Sequence, residues 1–359
     1  MRAVLDAPER RKAASRNASI AKSPGADPVI GFGGVLDAKG LLHGGAVKLL
    51  TLREGFSHGE THFNVLYLVS SAQPCFARDL LRVCRSRGIK FVWNQNGVGY
   101  PAWAGWDAES HNAPMRALRV EADFVVYQSK FCRESAERFL GPCPAPSIVL
   151  LNPVDLVKFS PRSSPLPSLP LRLLAMGTQN YRERVVSVLD CVRSLRDEGI
   201  ETTLTIAGPL IWKNAERDVR ETVASLGLGD SVVILPPFRQ EESAGIYRDH
   251  HVLLHPKYMD PCPTVVGEAL ACGLPVVASR SGGIPEMVDA RCAVLIDVPS
   301  SWTKLFTPTG RELAQAAKSV SRDLSSSSQN ARLRAEEAFD QSSWISRHDE
   351  IFRSLLRSV

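Results

Sequence analysis

Two carboxylates lie eight positions apart in the stretch Tyr258 to Ala278, YMDPCPTVVGEALACGLPVVA. Asp260 falls in a Pro-rich loop, and Glu268 falls in the first turns of an expected helix. A small-residue run from Ala269 to Gly273, followed by Pro275 and the apolar Val276-Val277-Ala278, predicts a helix stop and then a buried strand. This order places the free N–H groups of a helix start between two acids. An anionic group is stabilised at such a start by those donors and by the helix dipole. A hydroxyl-rich group is suited to the acids beside it.

The elements that must position these residues alternate along the chain. Strands are expected at Val29–Phe32, Asn64–Val69, Ile89–Trp93, Asp123–Tyr127 and Ile148–Leu151, with helices at Ala46–Glu54, Phe76–Arg87 and Ser129–Phe139. A Pro/Ser-rich segment then intervenes, with Pro161, Pro165, Pro167 and Pro170 among Ser163, Ser164 and Ser168. Proline removes ladder and helix donors, so this segment reads as a stiff linker. Beyond it the alternation restarts, with strands at Leu171–Met176, Thr202–Ala207, Val232–Leu235 and Val252–His255 and helices at Arg184–Glu198, Ala215–Leu226 and Ser243–Arg248. Such alternation predicts an α/β fold of two Rossmann-like domains with parallel sheets facing a central cleft. The expected parts are a disordered basic tail over 1–27, an N-terminal domain over 28–160, a linker over 161–170 and a C-terminal domain over 171–335. Helices over 336–359 are expected to pack back on the first domain.

Composition narrows the function classes. The chain has 359 residues, 44% of them hydrophobic, and a formal net charge of +5. No run of about 18 apolar residues appears, so no transmembrane helix is expected. The first 27 residues carry Arg and Lys without an apolar core, which argues against a secretory leader. None of the eight cysteines forms a C-x-x-C pair, so they read as reduced thiols of a cytoplasmic protein. No ligand set for zinc is visible, and no D-x-D triplet is present to hold a divalent cation; no metal and no cofactor is expected. The positive charge suits an anionic substrate or peripheral contact with the inner face of an anionic membrane. No basic stripe with interleaved aromatics supports nucleic acid as a partner. A dinucleotide dehydrogenase is disfavoured, since no G-x-G-x-x-G opens a helix.

The stretch from Asp260 to Glu286 resembles the signature of the retaining glycosyltransferases of family 4, the glycosyl transferases group 1, which have the GT-B architecture. Its parts are Asp260, then Glu268-Ala-Leu-Ala-Cys-Gly-Leu-Pro-Val-Val-Ala278, then Gly282-Gly283-Ile-Pro-Glu286. Leu151-Asn-Pro-Val-Asp155 with Phe159, and Phe238 with the segment Glu242–Tyr247, add to it. The segments Trp93-Asn-Gln-Asn-Gly97 and Tyr100-Pro-Ala-Trp103 are similar to a bacterial subset of such proteins.

The resemblance implies a metal-independent hexosyltransferase that moves a sugar, with retention, from a nucleotide-diphosphate sugar to a saccharide or lipid-linked acceptor. It places the work in polysaccharide or glycoconjugate biosynthesis. A carboxylate can accept bidentate hydrogen bonds, so Glu268 is expected on the ribose diol and Asp260 on the donor sugar. Backbone N–H groups of Thr264 and Val265 are expected at the β-phosphate, with Cys262, Gly177, Thr178 and Phe238 lining the donor site. Fixed cations ease departure of the nucleoside diphosphate. Thr178 stands where the family has an arginine, so Arg184, with Arg182 beside it, is expected in that role. Cys262-Pro263 stands where Phe-Gly is common, and with Pro261 it removes two backbone donors.

On the first domain, Gly44-Gly45 and His43 are expected near the phosphate or acceptor. Asn94, Gln95 and Asn96 are expected at a carboxyl edge as acceptor or sugar ligands, and Trp103 and Trp106 as stacking faces or core. Two other readings stay open: a nucleotide-sugar-binding partner with weak or no catalysis, and a sugar-nucleotide epimerase.

Overall fold

The computed structural model describes residues 7–34, 44–74, 76–164 and 166–357. The chain forms two compact units. Unit 1 is Met1–Leu150 with Gln341–Val359, and unit 2 is Leu151–Asp340.

Unit 1 opens with helix α1 (Ala7–Ala18) and strand β1 (Ala21–Lys22), then β2 (Val29–Gly31), α2 (Gly44–Gly55), β3 (Ser57–His58), β4 (His62–Phe63) and β5 (Val65–Val69). It continues with α3 (Ala77–Ser86), β6 (Lys90–Gln95), α4 (Pro101–Ala104), α5 (Ala108–Arg119), β7 (Phe124–Tyr127), α6 (Lys130–Leu140) and β8 (Ser147–Val149). The main sheet has the order β3-β2-β5-β6-β7-β8, and every pairing is parallel. A parallel sheet is covered on both faces, so its inner strands read as continuous apolar runs. Accordingly, all five residues of β5, VLYLV, are buried.

Unit 2 runs β9 (Leu171–Met176), α7 (Arg182–Asp197), β10 (Thr202–Ala207), α8 (Ala215–Ser225), β11 (Val232–Ile234), α9 (Ser243–Arg248) and β12 (Val252–His255). There follow α10 (Thr264–Ala271), β13 (Val276–Ser279), α11 (Ile284–Met287), β14 (Ala293–Ile296), α12 (Gly310–Val320) and α13 (Leu324–Ala338). The sheet order is β11-β10-β9-β12-β13-β14, again all parallel. The strand order reverses on either side of β9, between β10 and β12. Doubly wound sheets bind ligands outside the carboxyl ends of strands at such a switch point. The last helix, α14 (Gln341–Arg357), returns to unit 1.

Three expectations are corrected. The expected disordered tail over 1–27 is ordered over its described residues, 7–27: α1 packs against α3, and β1 pairs with β4. Its Ala-, Lys- and Arg-rich stretch favours helix, and Ile20 and Asn17 anchor it by burial.

The division between units falls at Leu150–Leu151, ahead of the Pro-rich segment 161–170, which lies within unit 2. The physical reason is burial. Val154 and Phe159 join the unit 2 core with Leu174, Tyr247 and Cys262, and the Asn152 side chain donates to the Cys262 carbonyl at 2.7 Å.

The return to unit 1 begins at Gln341, not 336. Trp344, Ile351, Phe352 and Leu356 of α14 cluster with Ile30, Tyr67 and Val92, whereas Ala331, Ala335 and Phe339 stay in the unit 2 core.

Candidate functional site

The site in unit 2 is built on the carboxyl ends of β9 and β12 and on the start of α10. Strand β12 is apolar until its last residue, His255, which is buried. The chain then turns through Lys257 and a buried Asp260 before α10 begins at Thr264. The N-cap of α10 is Pro263, which makes no side-chain capping hydrogen bond. Thr264 and Val265 are partly exposed there. An uncapped helix start keeps N–H donors for an anion.

The second glycine pair of the sequence motif explains how the Asp260 loop holds its shape. Gly283 N–H donates to the Asp260 carbonyl at 2.9 Å. Gly282 has φ +63°, and a Cβ there would meet that same carbonyl oxygen at 2.4 Å. Only glycine allows the two loops to approach so closely. Met259, with φ 50°, is held by a hydrogen bond from its N–H to Ser281 Oγ at 2.9 Å.

The side chain of Asp260 is engaged. Lys257 Nζ lies 2.8 Å from its Oδ2, and His255 Nε2 lies 3.3 Å from the same oxygen. Burial alone would raise this carboxyl's pKa, but Lys257 and the His255 hydrogen bond outweigh it and hold the group well below the usual carboxylate range. Burial, opposed by Asp260, lowers the His255 pKa. The imidazole is therefore neutral at pH 7, with the proton on Nε2 donated to the carboxylate.

Of the two expected cations on α7, Arg182 is exposed and Arg184 is buried. Arg184 donates to Asn180 Oδ1 at 3.4 Å and lies over the Tyr181 ring at 5.4 Å. Its Nε is buried without a hydrogen-bond partner among the described residues. Burial lowers its pKa and the charge of Asp260 raises it, which ties the two groups electrostatically. Gly177, at the end of β9, faces the start of α10: a Cβ there would touch Val265 Cγ1 at 3.4 Å. Thr178 is exposed.

Glu268 lies one turn into α10 and is buried. Tyr247 Oη donates to its Oε2 at 2.8 Å, and Gln240 Nε2 donates to its Oε1 at 3.2 Å. Burial raises its pKa, and the hydrogen bonds from Tyr247 and Gln240 and the charge of Lys158 oppose that rise. Each carboxylate oxygen keeps a lone pair beyond the bond already made. Phe238 is partly buried against the same core. Cys262 is buried, and its Sγ accepts the Asn152 N–H at 3.5 Å; its place is in packing.

Unit 1 presents a different arrangement from the expected one. Gln95 is fully buried: its Oε1 accepts from Trp93 Nε1 at 2.8 Å and its Nε2 donates to the Gly97 carbonyl at 3.1 Å. It is occupied by its own turn and is not presented to a ligand. Asn94 is also buried, donating to Tyr67 Oη at 2.8 Å. Asn96 is partly exposed and bonds Ser71 Oγ at 2.6 Å.

A buried lysine organises this edge. Lys48 of α2 donates to Asn94 Oδ1 at 2.9 Å, Asn96 Oδ1 at 2.5 Å and Gln128 Oε1 at 2.9 Å. Gly44 and Gly45 are the first two residues of α2. A Cβ on Gly45 would lie 2.5 Å from Ser71 Oγ, so its smallness serves the seating of α2 against the end of β5. His43 lies outside the described residues. Trp103 bonds the Val98 carbonyl and packs edge-on against Tyr100, whereas Trp106 is 95% exposed.

Sequence reasoning did not single out His255, Lys257, Gln240, Tyr247 or Lys48. His255 and Lys257 carried a signal, since they stand at a strand's carboxyl end, three to five residues before the loop acid. Lys48 carried none, because its partners lie 46 to 80 residues away in sequence.

The fold defines a class: two Rossmann-like units with parallel sheets, as in GT-B glycosyltransferases. Residues 158–307 match the family described as Glycosyl transferases group 1. A putative colanic acid biosynthesis glycosyltransferase, WcaL, of Escherichia coli strain K12 is 30% identical over 156 residues, which is 41% of this chain and 37% of that protein. The chain thus aligns with little more than a third of that relative's length. Among solved structures, sucrose-phosphate synthase from Thermosynechococcus elongatus superposes with a TM-score of 0.67 at 17% identity, covering 83% of this chain and 75% of that one. Anabaena Alr3699/HepE in complex with UDP gives 0.66 at 16% identity, covering 86% and 81%.

Proposed function

We propose that this chain is a glycosyltransferase that binds a nucleotide-diphosphate sugar on unit 2 and transfers its sugar, with retention and without a metal, to a saccharide or lipid-linked acceptor. Its setting is polysaccharide or glycoconjugate biosynthesis. One observation carries the reading: an uncapped helix start at the sheet's switch point stands between two buried carboxylates, one of which, Asp260, is coupled electrostatically to the buried Arg184. Glu268 accepts the ribose hydroxyls, joining or replacing Gln240 and Tyr247. The first N–H groups of α10 and the Arg184 guanidinium take the diphosphate and stabilise the charge that grows on it as the sugar leaves. These fixed donors do the work that a bound cation does elsewhere. The match to Glycosyl transferases group 1 over this unit supports the same reading.

For a lipid-linked acceptor, peripheral contact with an anionic membrane fits the exposed Arg11 and Lys12 of α1 and Arg78 and Arg82 of α3, two helices that pack together. None of the described helices is long and apolar enough to cross a membrane.

A second reading, a nucleotide-sugar-binding partner with little catalysis, is favoured by one fact: Asp260 is already occupied by Lys257 and His255. Incubating the full chain with UDP-, GDP-, ADP- and dTDP-sugars and measuring released diphosphate separates the two. Turnover of one donor, with nucleotide affinity reduced tenfold or more in Glu268→Ala, is the expected result. Binding without turnover favours the second reading, and neither binding nor turnover refutes both.

A further inference from the structure

The Asp260 loop is rigid, yet one of the groups on it is not. The Asp260 backbone is clamped by Gly283 and flanked by the close approach of Gly282, and its side chain is 7% exposed. Lys257, by contrast, is 41% exposed and ends in a flexible four-carbon stem. Its ammonium and the His255 ring converge on one oxygen, Asp260 Oδ2. Nearby, Arg184 is buried with its Nε unpartnered among the described residues, and it interacts electrostatically with both Asp260 and His255. Two cations, one carboxylate and a neutral histidine therefore meet at an uncapped helix start. These two cations and the helix dipole are the positive partners an anion would meet, while Glu268, one turn into α10, is held by Tyr247 and Gln240.

Resting on the nucleotide-sugar reading above, we infer that Lys257 is the mobile half of a two-cation diphosphate clamp whose fixed half is Arg184, and that Asp260 is the counter-ion that stores Lys257 in the ligand-free chain. Asp260 is then a positioning residue for Lys257 and not the group that grips the donor sugar. On binding, the ammonium leaves Oδ2 for a phosphate oxygen, and His255 keeps the carboxylate hydrogen-bonded. The absence of an arginine at Thr178 is compensated from a different strand: the cation comes from the turn after β12 instead of the turn after β9. Because a monophosphate reaches only part of such a clamp, Lys257 is a residue that selects diphosphates over monophosphates.

The test is calorimetric titration of the full chain with UDP, GDP and ADP and with the three corresponding monophosphates. Lys257→Met is expected to weaken the diphosphate that wild type binds by tenfold or more and to change its monophosphate by less than twofold. Lys257→Arg, which keeps the charge and controls for folding, is expected to stay within about threefold. Asp260→Asn frees the ammonium and is expected to leave diphosphate affinity unchanged or higher. Equal diphosphate affinity in wild type and Lys257→Met overturns the inference while leaving the nucleotide-sugar reading intact. So does a tenfold loss in Asp260→Asn with a normal melting temperature. A wild-type chain that binds none of the three diphosphates removes the nucleotide-sugar reading and this inference with it.

Discussion

At the scale of residues, the two acids of the motif differ in physical state although both are buried. Asp260 is held ionised by a lysine and a histidine, whereas Glu268 is pushed toward its neutral form by burial and kept in place by a phenol and an amide. Spacing shows neither state, since both depend on partners 3 to 28 residues away. A buried carboxylate that loses a donor bears the cost of the unmade bond, so Tyr247→Phe is expected to cost about 1–3 kcal/mol at pH 7. The sign of the pH dependence follows from the direction of the shift. A carboxyl whose folded pKa is raised binds its proton more tightly when folded, so its burial penalty is present when ionised and fades on acidification. The Tyr247→Phe deficit should therefore shrink as pH falls through the raised Glu268 range. Urea unfolding midpoints of both proteins at pH 7.5 and 5 measure this, and a deficit that grows toward pH 5 refutes the assignment.

At the scale of elements, the site is a meeting of turns. The β12–α10 turn supplies His255, Lys257 and Asp260, the β13–α11 turn supplies the glycine pair that props them, and α7 supplies Arg184. Parallel strands bring these turns to one edge because every strand's carboxyl end points the same way. The Gly282-Gly283 pair, legible in the sequence as part of a motif, is explained only by its partner: the Asp260 carbonyl sits where a Cβ would be. Gly282→Ala combines that clash with a left-handed φ, which alone costs about 1–2 kcal/mol. It is expected to lower stability by at least about 2 kcal/mol and to weaken diphosphate binding tenfold or more, through displacement of the Asp260 turn. Thermal unfolding and UDP titration of this variant check both effects. Full UDP affinity would show that the turn can move without cost to the site.

At the scale of the whole molecule, the chain leaves unit 1 at Leu150, builds unit 2, and returns at Gln341. The return is secured by a buried hydrogen-bond series. Lys48 donates to Asn94, Asn94 donates to Tyr67, Tyr67 bonds His348 Nε2 at 3.0 Å, and His348 Nδ1–H donates to the Trp344 carbonyl at 2.9 Å. Since a carbonyl only accepts, the proton is on Nδ1 and Nε2 accepts from the tyrosine. Burial, reinforced by Lys48, lowers the His348 pKa from 6.5 to about 4. A depressed histidine pKa means that the unfolded chain takes the proton first. The part of the stability that rests on neutral His348 is thus fully present above about pH 6.5 and is lost as pH falls toward 4, by roughly 3 kcal/mol in all. Hydrogen exchange in α14 at pH 7 and 5 should show faster opening at the lower pH beyond the intrinsic change, and His348→Gln should flatten that difference. An unchanged pH response in the variant would assign the acid sensitivity elsewhere.

Alternation of apolar runs with helical periods was enough for two parallel α/β layers, because burial on both faces makes strands such as β5 and β7 continuously apolar. The order of Asp260, Glu268 and the small-residue run likewise marked the helix start that α10 forms between the two acids. Local pattern left the basic segment before Ile20 with helix propensity but no visible partner, and it could not show the unit division at Leu151 or the withdrawal of Asn94 and Gln95 into the fold. Those outcomes turn on burial and on partners distant in sequence. Tertiary structure alone decided which cation stands beside Asp260, which arginine of α7 is buried, and that Lys48 gathers three amides at the edge of unit 1. Each depends on side chains from separate strands meeting at one sheet edge, and no spacing along a single segment encodes that meeting.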